Sequence, residues 1–104
     1  MCDDCFQLSL YKTNNGEVFI SNCGYKYKLV YNNIMLIHGY ESYLKFFRNI
    51  EECHFVVKDD PDQNSRTVKF STNTALTIFC FSPLEIAELH YLLQSALIEA
   101  KVYV

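Results

Sequence analysis

The stretch FSPLEIAELHYLLQSALIEA, Phe81 to Ala100, decides the fold. Ser82-Pro83-Leu84-Glu85 reads as a helix start: a serine cap, a proline at the first helical position, and a glutamate three residues after the cap. The Ser82 hydroxyl oxygen is placed to accept from the backbone N–H of Glu85, and the Glu85 carboxylate to accept from the N–H of Ser82. Phe81 and Ile86 occupy the two positions of a hydrophobic staple. Ile86, Leu89, Leu93, Ala96, Leu97 and Ala100 then recur at three- and four-residue intervals, so one face of the helix is apolar and must be covered. The cover is expected to be a sheet made by most of the remaining chain.

Working back from there, Phe6 to Leu10 alternates apolar and polar residues, Thr13-Asn14-Asn15-Gly16 is a turn, and Glu17 to Ser21 returns as the partner strand. Tyr25 to Tyr31 alternates again, with Tyr25, Tyr27, Leu29 and Tyr31 on one face and Lys26 and Lys28 on the other. Asn32-Asn33 is a two-residue hairpin turn leading to the apolar strand Ile34 to Ile37. Between Glu41 and Glu52 the period becomes helical, through Tyr43, Phe46, Phe47 and Ile50, with an end expected near Cys53 and no capping box at its start. His54 to Lys58 reads as a strand, Asp59 to Ser65 as a polar hairpin loop, and Arg66 to Ser71 as the return strand. Ala75 to Phe81 is an apolar strand expected to lie centrally, with Cys80 buried as a small hydrophobe.

About seven short antiparallel strands and two helices place the chain in the α+β class, as a single domain over residues 1–104. The two halves share a pattern. At an offset of 43, Tyr43, Phe46 and Ile50 fall on Ile86, Leu89 and Leu93, which fits an internal β-β-β-α duplication as well as a coincidence of pattern. An open sheet and a small barrel capped by the last helix, in the pleckstrin-homology manner, both accommodate the strands.

Half of the 104 residues are apolar, enough for a core without disulfides. Nine basic against twelve acidic residues leave a net charge of −3, so no broad basic surface is available for phosphates, and nucleic acid is not an expected partner. No apolar run reaches the length of a signal peptide core or a membrane span, and the expected location is cytoplasmic. In that reducing setting the odd set of five cysteines stays as thiols.

Cys2-x-x-Cys5 with Cys23 is the sharpest chemical lead, since two thiolates three positions apart can hold one zinc ion. The second pair is incomplete, because Lys26 stands three residues after Cys23, and His38 and His54 are the remaining candidates for a fourth ligand. Asp60-x-Asp62-x-Asn64 matches the opening of an EF-hand loop, but Ser65 replaces the required glycine and Ser71 the closing glutamate, so a solvated loop is expected. The tyrosines of residues 25–31 read as core rather than as a stacking platform, because the lysines take the opposite face. His90, beside the apolar stripe of the last helix, reads as a boundary residue. No nucleophile–base motif, phosphate loop or pair of catalytic acids is present, and no catalytic residue is assigned.

With these motifs in place, the chain resembles a family of short, uncharacterised bacterial proteins, best known from gut anaerobes, with cysteines near the start. Cys2 and Cys5, the run Cys23 to Asn32, Leu76 to Phe81 and Leu84 to Gln94 carry the resemblance. Lys26 departs from the family pattern, in which a second Cys-x-x-Cys stands there. The resemblance implies the fold and assigns no activity. Two functions follow from the residues: a non-enzymatic module that binds a partner protein or a second copy of itself, aided by the apolar end Lys101 to Val104, and a zinc-ribbon-like module built on Cys2, Cys5 and Cys23. The first needs no cofactor and the second needs zinc. An enzyme with an unfamiliar site is the third class.

Overall fold

A computed structural model describes residues 8–21, 26–71 and 77–100. Its elements run β1 (Leu8–Lys12), β2 (Gly16–Ile20), β3 (Tyr27–Tyr31), β4 (Ile34–His38), α1 (Tyr40–Val57), β5 (Val68–Ser71), β6 (Ile78–Phe81) and α2 (Pro83–Ala100). The class is α+β, as the strand and helix patterns predict. The first four strands form an antiparallel sheet in the order β1-β2-β3-β4, while β5 and β6 form a separate antiparallel pair, and no barrel closes among the described residues.

The cap of α2 forms as its sequence requires. The Glu85 N–H donates to Ser82 Oγ at 3.1 Å and the Ser82 N–H donates to Glu85 Oε1 at 2.9 Å. Phe81 and Ile86 are both buried, which completes the staple. Ile86, Leu89, Leu93, Ala96 and Ala100 are buried, and so is Leu92, which the three-and-four spacing did not select. Leu97 is only partly covered. α2 lies across β1 and β2 and packs along α1.

One face of the four-stranded sheet supplies the other half of the core. Leu10, Val18, Ile20, Tyr27, Leu29 and Tyr31 are buried, so Tyr27 and Tyr31 are interior residues and Lys28 takes the outer face, its Nζ 4.7 Å from the Phe19 ring centre. Tyr25 lies outside the described residues. The β3–β4 hairpin turns through Asn32 at φ 52°, the left-handed conformation that asparagine tolerates. Gly16 is fixed by crowding. A Cβ there would stand 2.8 Å from Leu92 Cδ2 and 2.9 Å from the Val30 carbonyl oxygen, so α2 rests on this hairpin only because a glycine occupies the site.

Several expectations are corrected. The first helix does not stop near Cys53 but runs to Val57, so His54 to Lys58 is no strand, and six strands lie among the described residues. Cys53 and Val57 continue the α1 face that Phe46 and Ile50 begin, and packing against α2 overrides the strand preference of Val56-Val57. The polar stretch 59–65 therefore links α1 to β5 and is not a hairpin loop. Lastly, β6 is not central. Its alternation turns Phe79 and Phe81 inward and Ile78 and Cys80 outward, so Cys80 is exposed rather than buried.

Both helices have 18 residues, and they begin and end 43 residues apart. The six residues aligned by that offset, Tyr43, Phe46, Ile50, Ile86, Leu89 and Leu93, are all buried. The Tyr43 hydroxyl donates to the Leu93 carbonyl oxygen at 2.9 Å, tying the two helices together.

Candidate functional site

Three places in the described structure bring polar side chains together. The first is the start of α2. Glu88 accepts from Asn15 Nδ2 at 3.0 Å and from the Tyr31 hydroxyl at 2.8 Å, while Glu85 accepts from Arg66 Nε and Nη2, both at 3.0 Å. Burial pushes both carboxyls upward, but these hydrogen bonds outweigh it and hold each below the ordinary glutamate value of 4.5. Burial and the Glu88 carboxylate push the Tyr31 phenol upward. With both carboxylates paired, the cluster fastens the hairpin tips to the helix.

The second is a ring stack between the helices. Phe47, His90 and His54 lie face to face, with centroids 5.5 Å and 4.9 Å apart, and His90 Nε2 is 3.2 Å from Glu51 Oε2. Burial first, then the neighbouring His90 and Lys58, hold His54 below the ordinary histidine value. Parallel rings cannot aim their nitrogens at a common ion. His90 is a half-buried boundary residue, as its place beside the stripe predicts.

The third is a cleft at the open edge of the larger sheet. Leu36 and His38 on β4 form one wall, and Phe70 and Phe79 on the small β-pair form the other. The first half of α1 closes the end through Ser42, Lys45, Phe46 and Asn49, leaving a cavity of about 300 Å³. Ser42, Lys45 and Asn49 share a side of α1 by their spacing of three and four residues. His38 Nδ1 lies 2.9 Å from Ser42 Oγ, and its ring stacks on Phe46 at 5.4 Å. Its Nε2 is buried with no partner among the described residues, and burial keeps the imidazole below its ordinary pKa and so neutral at pH 7. Lys45 is thus the charged group lining the cleft. Among the described residues no carboxylate lines it, and Lys45 makes no ion pair.

The strand beside this cleft is an edge. β4 pairs with β3 on one side and with no other described strand. It reads Ile34-Met35-Leu36-Ile37-His38, without proline, lysine or a bulge, and Met35 and Ile37 are 61% and 36% exposed. The opposite edge, β1, is guarded by a bulge between Ser9 and Tyr11, by Lys12, and by a 2.7 Å hydrogen bond between the hydroxyls of Tyr11 and Tyr91 of α2.

Of the residues singled out from the sequence, Cys2, Cys5 and Cys23 lie outside the described residues. Of the two candidate fourth ligands, His38 meets Ser42 through Nδ1 and His54 stacks on His90, and each keeps one buried nitrogen, His38 Nε2 and His54 Nδ1, with no partner among the described residues. Among the described residues no group of three or more His, Cys, Asp or Glu side chains could hold a metal ion. The acidic loop spends its carboxylates on its own backbone: Asp60 accepts from the Asp62 N–H at 2.9 Å, and Asp62 from the Asn64 and Ser65 N–H groups at 3.1 Å. No helix among the described residues is long and apolar enough to cross a membrane. The cleft itself was not anticipated. The common face of Ser42, Lys45 and Asn49 was readable as helical spacing, whereas Phe70 and Phe79 reach it through tertiary packing.

The chain belongs to a family of unknown function (DUF6686), whose model matches residues 1–103. A small uncharacterised family is what the motifs resemble. Neither a curated protein nor a solved structure matches the chain.

Proposed function

We propose that this family member is a protein-interaction module that takes an extended segment of a partner protein as an added strand along β4. The observation that carries the reading is the unguarded apolar edge of β4, set against the guarded edge of β1. A two-residue loop makes Tyr31 and Ile34 the first hydrogen-bonded pair, so the alternation turns the N–H and C=O groups of Met35 and Ile37 away from β3. An incoming strand is recognised by those groups, and the cleft beside the edge receives its side chains.

The test compares the wild-type chain with the Met35→Lys, Ile37→Lys double variant in proximity cross-linking inside cells of the source organism. Both substitutions are on exposed positions, and a stability within about 0.5 kcal/mol of wild type is expected. Partners cross-linked through β4 in the wild type and lost in the variant support the reading. The same partners from both chains would overturn it. A wild-type dimer in sedimentation that the variant abolishes would assign the edge to a second copy instead.

A further inference from the structure

We propose that the cleft selects an acidic side chain on the docked segment, whose carboxylate pairs with Lys45 and hydrogen-bonds to Ser42 and Asn49 while its methylenes lie on Phe46, Phe70 and Phe79. This deepens the β4 reading and rests on it. Four observations meet in one place. The cavity of about 300 Å³ opens beside the edge where the segment would lie, and is large enough for a side chain and not for a folded element. Its lining brings the rings of Phe70 and Phe79, beside Ser71 on the small β-pair, opposite Ser42, Lys45 and Asn49 of α1. Its one charged group is a lysine without an ion-pair partner among the described residues, in a chain whose net charge is −3. Lastly, Ser42 Oγ lies 2.9 Å from His38 Nδ1, and with the ring proton on Nδ1 the imidazole donates to Oγ, holds the serine in position and leaves its hydroxyl proton for the carboxylate.

Charge complementarity fixes the occupant. A carboxylate satisfies Lys45, an amide leaves the ammonium unpaired, and a cation is repelled. A second copy of the chain is the poorer fit, because its own β4 carries Ile34, Met35, Leu36, Ile37 and His38 and brings no acid to the cleft.

The experiment uses the full chain, labelled for amide NMR, and two sets of probes. Small probes enter the cleft without pairing to β4: 3-phenylpropionate, its primary amide, and phenethylamine. Shifts confined to Ser42, Lys45, Asn49, Phe70 and Phe79 are expected, with the carboxylate about tenfold tighter than the amide and the amine without effect. Lys45→Gln, an exposed change, is expected to erase that preference, and Lys45→Arg to keep it. Equal binding of acid and amide, or no shift at the cleft with any probe, would overturn the proposal. The second set is a pair of capped extended peptides, alternating valine and threonine, with glutamate or glutamine at the centre. Slowed exchange of the Met35 and Ile37 amides by both peptides equally would leave the β4 reading standing and sink the acidic preference. A carboxylate response in the cleft with neither peptide protecting β4 would do the reverse.

Discussion

The segment β3-β4-α1 and the segment β5-β6-α2 are built to one plan and end in different circumstances. Each is a pair of antiparallel strands followed by an 18-residue helix, and the helices are offset by 43 residues. In the second segment the helix is capped by Ser82 and Glu85 and is sunk into the core through Ile86, Leu89, Leu92, Leu93 and Ala96. In the first, Gly39 offers no side-chain cap, the buried contacts narrow to Tyr43, Phe46 and Ile50, and Phe55 and Val56 stand 71% and 83% exposed. The strands differ the other way: β3-β4 completes a four-stranded sheet, while β5-β6 has no further described strand. The second segment is thus organised to hold the molecule together. The first presents a free edge and a helix start without a side-chain cap, and its strand β4 and helix α1 line the cleft together with Phe70 and Phe79 of the second.

Truncating the aligned helices separates the two roles most sharply. Leu89→Ala removes a side chain that is 1% exposed, and a loss of about 2–5 kcal/mol is expected in chemical denaturation. Val56→Ala in α1 is expected to change stability by less than about 0.5 kcal/mol. Similar losses from both would erase the distinction.

The caps give a smaller contrast of opposite sign. Ser82→Ala removes the acceptor for the Glu85 N–H and should cost about 1 kcal/mol. Gly39→Asp should instead stabilise by about 0.5 kcal/mol, because φ is −70° and no atom lies within 4 Å of the new Cβ. Melting temperatures of the two variants that move in the same direction would show that α1 is already capped by other means.

Acid acts on the two segments in sequence. His38 and His54, both in the first segment, are held below the ordinary value of 6.5 by burial, so the unfolded chain takes up protons first. Their contribution is complete above 6.5 and is lost as the pH falls below it. Glu85 and Glu88, in the second segment, are held below 4.5, so theirs is present above that value and lost as the pH falls further. Denaturation midpoints across the range should therefore decline in two stages, and the His38→Gln, His54→Gln double variant should lose the upper one. A single decline beginning at the carboxylates would contradict the assignment.

What the sequence displayed was local. The start of α2 and its staple lie within six residues and form as read, and the alternation of Tyr27, Leu29 and Tyr31 places them in the core. Where two periods competed, packing decided. His54-Phe55-Val56-Val57-Lys58 has the composition of a strand, yet Cys53, His54 and Val57 turn toward the rest of the fold and extend the helix. Ile78 and Cys80 lie in an apolar run that suggested a central strand, although a two-stranded ribbon covers only one of its faces. The cleft was hidden for a different reason, since Lys45 and Phe79 are neighbours only after both segments have folded.

Hydrogen exchange along β4 in the free, monomeric chain tests the open edge most directly. The amides of Met35 and Ile37 should exchange rapidly and that of Leu36, bonded to β3, slowly. Protection of Met35 and Ile37 as strong as that of Leu36 would mean that the edge is already occupied, and the assignment of β4 as the docking strand would fall.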